Sequence, residues 1–535
     1  MHYPVQMRFP RFAALACAVA LGFAAVNYQA EGKLWWAHIQ YLASDALQGR
    51  DTGGEGYRRA ADYVASHFRQ LGLEPAGTDG YFQPVQFVAD QIEDDKSSAA
   101  LVGPSGTEPL RMGDDVIFGL NPDTARDLEA PAVFVGYGLD VPEKNYNDLA
   151  GLDLKGKIAV SLSGVPSGMP GPLAAHHESS EERWRPLREA GAAGMIRIYN
   201  PHTMDLPWQR VALSRFNPEM TFADPALRPT PGLKLAMALN PANADKLLAG
   251  SGHTMDELVK IADAGAALPR FDLKPRVCVH VAMRQWEVQA PNVAGILRGS
   301  DPKLRNEYVV MSAHLDHIGV GQPINGDSIY NGAMDNASGV ASILEVARLL
   351  RERKVALKRS ILFVAVTAEE KGDLGSEYFA DKPTVPVRSM VADLNLDMFL
   401  PLYPLHYLMV VGLNESTLGD RIRAIAPHDG VEVMDDPVPE RNLFIRSDQY
   451  SFVKQGVPAL MFGFGAKPGS PEEKTQMEWL HTRYHAPSDD VNQPVDLAAA
   501  AKFNEIILQL LTEVADNPAR PEWEKSSFFA RFALK

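Results

Sequence analysis

The feature that most limits the fold is a series of short apolar runs from residue 290 onward, several of which end in acidic or imidazole side chains. "EYVVMSAHLDH", "RSILFVAVTAEE", "MVADLNLDMF", "YLMVVGL" and "PALMFGF" are β-branched or otherwise apolar and bounded by turns. Helical patterns such as "SGVASILEVARLLRERK" and "DLAAAAKFNEIILQLLTEVA" come between or after them. Strands alternating with helices predict an α/β fold, a mostly parallel mixed sheet flanked by helices. In such sheets functional groups gather at the carboxyl ends of strands. His314 and Asp316 of "MSAHLDHIG" stand at one of those ends.

Four other stretches carry comparable groups. Asp335 lies in "NGAMDNASGV", in a turn before a helix; Glu369 and Glu370 lie in "VTAEEKGDLGS", directly after a strand. Asp397 ends the strand in "LNLDMF", and His485 of "RYHAPSDD" occupies a loop before the last long helix. Three carboxylates (Asp335, Glu370, Asp397) and two imidazoles (His314, His485) make a mixed ligand set suited to zinc and tolerant of manganese or cobalt. Two divalent ions about 3.5–4 Å apart can share a carboxylate and activate water for hydrolysis. The two-residue period of a strand lets Asp316 reach the ring of His314 and orient it. The same period turns His317 to the opposite face, as a structural or substrate-side residue. Of the adjacent acids Glu369 and Glu370, one can bind metal while the other overhangs the water as general base. Spacing alone does not order the pair.

A chain of 535 residues exceeds what one core supports, so two or three domains are expected. Residues 101–284, rich in Pro and Gly with short runs such as "PAVFVGYG" and "GKIAVSLSG", predict a smaller β-rich domain inserted between 30–100 and 285–535. The formal net charge of −15 speaks against a nucleic-acid partner, because phosphate binding needs a basic surface. At the N-terminus, Arg8 and Arg11 precede the apolar "FAALACAVALGFAAV", and no acidic residue occurs before Glu31. Residues 1–29 therefore read as a signal peptide, and the protein as exported, periplasmic or secreted. The apolar run falls short of the about 20 residues a bilayer span needs, so no stable membrane anchor is expected. With the signal removed, Cys278 stands alone and no internal disulfide can form. The pair His176–His177 reads as part of a solvated polar loop.

Taken together, "AHLDHIG", "NGAMDNASG", "TAEEKGDLGS", "LNLDM" and "YHAPSDD" resemble, in order, the motifs of the co-catalytic zinc aminopeptidases and carboxypeptidases related to aminopeptidase Y and glutamate carboxypeptidase. The resemblance covers residues 290–515 and, more loosely, 35–90. It implies two zinc ions per chain: His314 and Asp397 on one, Glu370 and His485 on the other, and Asp335 bridging. It assigns Asp316 to orienting His314, Glu369 to taking a proton from the water between the metals, and Tyr484 to polarising the substrate carbonyl. Residues 101–284 would be a protease-associated domain. The implied activity is removal of N-terminal residues from peptides. The alternatives are a carboxypeptidase or dipeptidase, with Arg441 or Arg446 near a terminal carboxylate, a single-metal glutaminyl cyclase, or a non-catalytic receptor-like relative. The chain departs from many relatives at "RSDQYSFVKQGVPAL", where Gln449 replaces a histidine, which bears on substrate contacts. Nothing in the sequence bears on oligomeric state.

Overall fold

The computed structural model describes residues 27–533 apart from 105, 205 and 439–442. Most of the expected signal segment, and Arg441, lie outside the described residues. Tyr28 already opens a helix, Tyr28–Leu42, so the expected boundary at 29 falls within its first turn.

A ten-stranded mixed sheet organises the chain. Its order is Glu219–Phe222, Phe82–Ile92, Met283–Leu297, Ser360–Val366, Tyr308–His314, Met390–Leu396, Ala459–Gly465, Tyr407–Val411 and Glu432–Met434, with Glu74–Pro75 beside Met283–Leu297. The four middle strands, from Ser360–Val366 to Ala459–Gly465, are parallel to one another. Their neighbours on either side, Met283–Leu297 and Tyr407–Val411, run antiparallel. The predicted parallel character is thus concentrated in the centre. Every residue of these four strands is buried, which explains their continuous rather than alternating apolar pattern.

Helices cover this centre and fix its strand ends. Trp35 of Tyr28–Leu42 is fully buried and donates its indole N–H to the Ser338 carbonyl (3.1 Å) and Ser342 Oγ (3.0 Å). Both acceptors belong to Ser338–Glu352, the helix that follows Asp335. A Cβ added at Gly32 would lie 2.0 Å from the Leu497 carbonyl oxygen, so only glycine lets the first helix approach the last, Leu497–Asp516. Phe399, two residues beyond Asp397, stacks on Phe503 of that last helix at 4.1 Å. The chain just past the Asp397 strand is thereby held against the same layer.

Residues 98–280 supply a second, eight-stranded sheet with its own core. One strand from within that stretch, Glu219–Phe222, leaves it and pairs antiparallel with Phe82–Ile92 at the edge of the first sheet. Among the described residues, no helix is long and apolar enough to cross a membrane.

Candidate metal centre

Each expected ligand sits where a strand or helix of the parallel centre stops. His314 is the last residue of Tyr308–His314, Asp397 follows Met390–Leu396, and Glu369 and Glu370 follow Ser360–Val366. Asp335 lies in the irregular segment Ala333–Ala337 that leads into Ser338–Glu352, and its peptide bond to Asn336 is cis. His485 occupies the loop between Pro471–Thr482 and Leu497–Asp516, with φ of 52°.

These side chains converge. The two carboxylate oxygens of Asp335 divide between the histidines: Oδ1 is 3.3 Å from His314 Nε2, and Oδ2 is 3.3 Å from His485 Nε2. Asp397 Oδ1 is 3.2 Å from His314 Nε2, and Glu370 Oε2 is 3.2 Å from His485 Nε2. Bonds of about 2.0–2.2 Å to a tetrahedral ion put neighbouring ligand atoms about 3.3–3.6 Å apart. The observed separations match the edges of two such polyhedra sharing Asp335. Glu369 Oε2 stands further off, 3.8 Å from His314 Nε2. That distance is longer than the edge of such a polyhedron.

Electrostatics favour bound cations. His314 is fully buried, and Asp335 and Asp397 are nearly so. Buried charge persists only when paired or coordinated to metal. Burial pushes the Asp335 carboxyl up, but His314, His317 and His485 together hold it well below the usual range. Burial also lifts Glu369, and although His314 opposes this, Asp373, Asp397 and Glu370 reinforce it, leaving its carboxyl well above the ordinary value. A raised carboxyl is what a proton acceptor working near neutrality requires.

Three supporting residues stand out. Asp316 meets His314 through its main-chain carbonyl, 3.2 Å from Nδ1, while its carboxylate Oδ1 is 4.0 Å away. That carboxylate instead accepts the amides of Glu369 (3.1 Å) and Glu370 (3.3 Å) and the hydroxyl of Thr52 (3.1 Å). It therefore positions both acids as well as lying beside the histidine. Asp489, from "YHAPSDD", accepts the amides of Met334 and Asp335. Fully buried Arg50 donates to the carbonyls of Leu42, Leu315, Asn331 and Gly332 and clasps the loops on both sides of the site. Spacing gave no sign of Arg50, because its partners are up to 282 positions away.

His317 corrects the alternation argument. The strand ends at His314, so the two-residue period no longer governs residue 317. His317 turns inward, fully buried, with Nδ1 2.6 Å from Glu370 Oε1 and 3.9 Å from Asp335 Oδ2. Among the described residues neither ring nitrogen of His317 has a hydrogen-bond partner, and His317, Asp335 and Glu370 make a second group of atoms close enough together to hold an ion, beside that of His314, Asp335 and Asp397. The Tyr484 ring lies 4.0 Å from the His485 ring, tilted by 38°, and its hydroxyl accepts from Arg446 (3.3 Å). Tyr484 and His485 line a cavity of about 280 Å³ with the clustered carboxylates and the apolar Met398, Leu443, Ile445 and Met461. Gln449 is buried away from that cavity, accepting from Asn395 (2.7 Å) and donating to the Phe444 carbonyl (3.1 Å), which makes it a packing element. His176 and His177 also differ from expectation. They are buried on the helix Gly171–Glu178, where Phe528 packs on both rings and His176 meets the Tyr450 hydroxyl.

Residues 292–511 match the sequence profile of peptidase family M28. Over this stretch the chain is similar to peptidase family M28. All five residues of the cluster fall within the M28 stretch. Among curated proteins, a probable leucine aminopeptidase 2 from Aspergillus oryzae is 26% identical over 276 residues, 48% of this chain and 51% of that protein. Aminopeptidase YwaD from Bacillus subtilis is 26% identical over 223 residues, 40% of this chain and 44% of its own. The chain thus spans about half the length of the first of these relatives. An aminopeptidase from Aneurinibacillus sp. strain AM-1 superposes over 92% of this chain and 97% of its own, with a TM-score of 0.56 and 20% identity. The chain shares that protein's fold.

Proposed function

We propose that the protein is an exported zinc metallopeptidase with two zinc ions per chain, acting as an aminopeptidase on peptides. The observation that carries this is Asp335, whose two oxygens each face one histidine at 3.3 Å, with Asp397 and Glu370 completing the two sides. His314 and Asp397 would hold one ion, Glu370 and His485 the other, and Asp335 both. Bound zinc supplies Lewis acidity toward a carbonyl oxygen and lowers the pKa of water.

The chain's own residues then have separate tasks. Asp316 fixes the main chain of Glu369 and Glu370. Glu369 receives the proton of the attacking water and returns it to the leaving amine. Tyr484, beside the His485 ring and lining the small cavity, would donate to the substrate carbonyl oxygen. A small, partly apolar cavity beside the cluster suits an apolar first side chain. The names of these relatives, leucine aminopeptidase among them, accord with this activity. The same proposal takes residues 101–284 as an inserted domain, supported by their separate sheet and core. Export is supported by the N-terminal basic and apolar pattern alone.

Metal analysis of the purified protein, paired with a substrate panel, tests the whole proposal. Two zinc ions per chain, hydrolysis of aminoacyl-anilides abolished by a chelator, and inactivity on N-blocked peptides are expected. Full activity after metal removal would refute the metallopeptidase function. Preference for N-blocked substrates would replace it with a carboxypeptidase.

A further inference from the structure

A second cavity, of about 710 Å³, adjoins the metal centre and shares Ile445, Arg446, Tyr484 and His485 with its smaller neighbour. Its far wall comes from the second sheet and includes Arg183, Arg197 and Glu178. We propose, resting on the peptidase function above, that this cavity takes the leaving-group side of a short peptide and that Arg197 binds the peptide's terminal carboxylate.

Arg197 lies on Gly194–Ile198, an interior strand paired with Ile158–Leu162 on one side and Ala236–Leu239 on the other. Ile196 and Ile198 are fully buried in the core, so alternation sends Arg197 to the opposite face, where the cavity is. A rigid strand, not a mobile loop, therefore sets its position. The charges around it are already spoken for. Glu178 accepts from Arg183 at 3.2 Å and from the Gly164 amide at 2.9 Å. Asp263, the other acid on this cavity, receives His202 Nδ1 at 2.9 Å. Among the described residues Arg197 has neither an ion-pair nor a hydrogen-bond partner, although it is half-buried and next to a second guanidinium. The wall therefore presents an unmatched positive charge with a fork suited to a carboxylate.

Direction agrees with this placement. In an aminopeptidase the amine and first side chain occupy the small cavity, and everything beyond the scissile bond leaves it on the other side. The larger cavity shares His485 with the small one and extends from there to Arg197. A chain whose carboxylate meets Arg197 is bounded in length, so the substrate class is short peptides with a free C-terminus.

The test compares kcat/KM for peptides of two to six residues sharing one N-terminal residue, each as the free acid and as the C-terminal amide. At one length the acid should be preferred about tenfold, the scale of one charge-assisted hydrogen bond. The acid-to-amide ratio should fall to near one in Arg197→Gln and be partly restored in Arg197→Lys. Because the ratio is internal to each preparation, loss of folded protein does not mimic the effect. Amidated peptides carrying a glutamate beyond the scissile bond form a further arm. If they regain the preference and lose it in Arg197→Gln, the subsite stands with a side chain as the carboxylate's source. A ratio near one at every length, or one undiminished in Arg197→Gln, overturns the inference. If the unaltered protein hydrolyses neither peptides nor aminoacyl-anilides, the failure lies in the peptidase function instead.

Discussion

Arg210 donates its guanidinium to the main-chain carbonyl of Tyr484, and at 2.6 Å to that of His481 as well. Arg210 belongs to the short helix Trp208–Val211, within the residues expected as an insert, whereas Tyr484 precedes His485 in the M28 stretch. The two parts of the chain are thus joined at the loop that carries one metal ligand. Arg210→Ala should weaken retention of one zinc ion of the two and lower kcat/KM about tenfold, the range for orienting residues around a metal. Zinc content after graded chelation checks this; two equally retained ions would reject the coupling.

Glu369→Gln keeps the size of the side chain but cannot accept a proton. Zinc content should stay at the unaltered level while kcat falls by about 10²–10⁴, the usual contribution of a positioned general base. Loss of metal in this variant would instead make Glu369 a ligand.

Asp489→Ala leaves the amides of Met334 and Asp335 without their acceptor. Each buried unpaired donor costs on the order of 1–3 kcal/mol, and the bridging carboxylate loses its main-chain support. Reduced thermal stability together with weaker binding of both ions is expected in calorimetry and metal titration. A change confined to stability would limit Asp489 to folding.

Asp393 is fully buried, its carboxylate accepts from Ser312 Oγ (2.8 Å), and burial lifts its carboxyl to about 8. The folded pKa exceeds the unfolded value, so the folded state holds the proton more tightly. Stability from this group is complete below about pH 4 and declines as pH rises toward about 8. Asp393→Asn should therefore unfold at a higher temperature than the unaltered protein at pH 8, with the gap shrinking toward pH 4. A gap that is constant across this range would show that Asp393 does not titrate between the two states.

Much of the site was legible because its ligands sit at ends of strongly patterned elements. The runs ending at His314, before Glu369 and at Asp397 announce buried strands, and the architecture brings such ends together. His317 was misread for the same reason, since a periodicity argument fails one residue beyond the element that sustains it. His176 and His177 were misread because a polar stretch on a helix became buried under Phe528 from the far end of the chain.

The sequence by itself determined the α/β class, the five clustered side chains and the kind of ion they suit, because those follow from local pattern and residue chemistry. Spacing left Glu369 and Glu370 unordered and only the family resemblance ordered them; the tertiary structure alone decided that the Asp316 carboxylate grips the main chain of both acids. It alone also set Arg50, Arg210 and Arg197 around the centre. Those positions arise from contacts between segments hundreds of residues apart, and no local propensity encodes a distance between them.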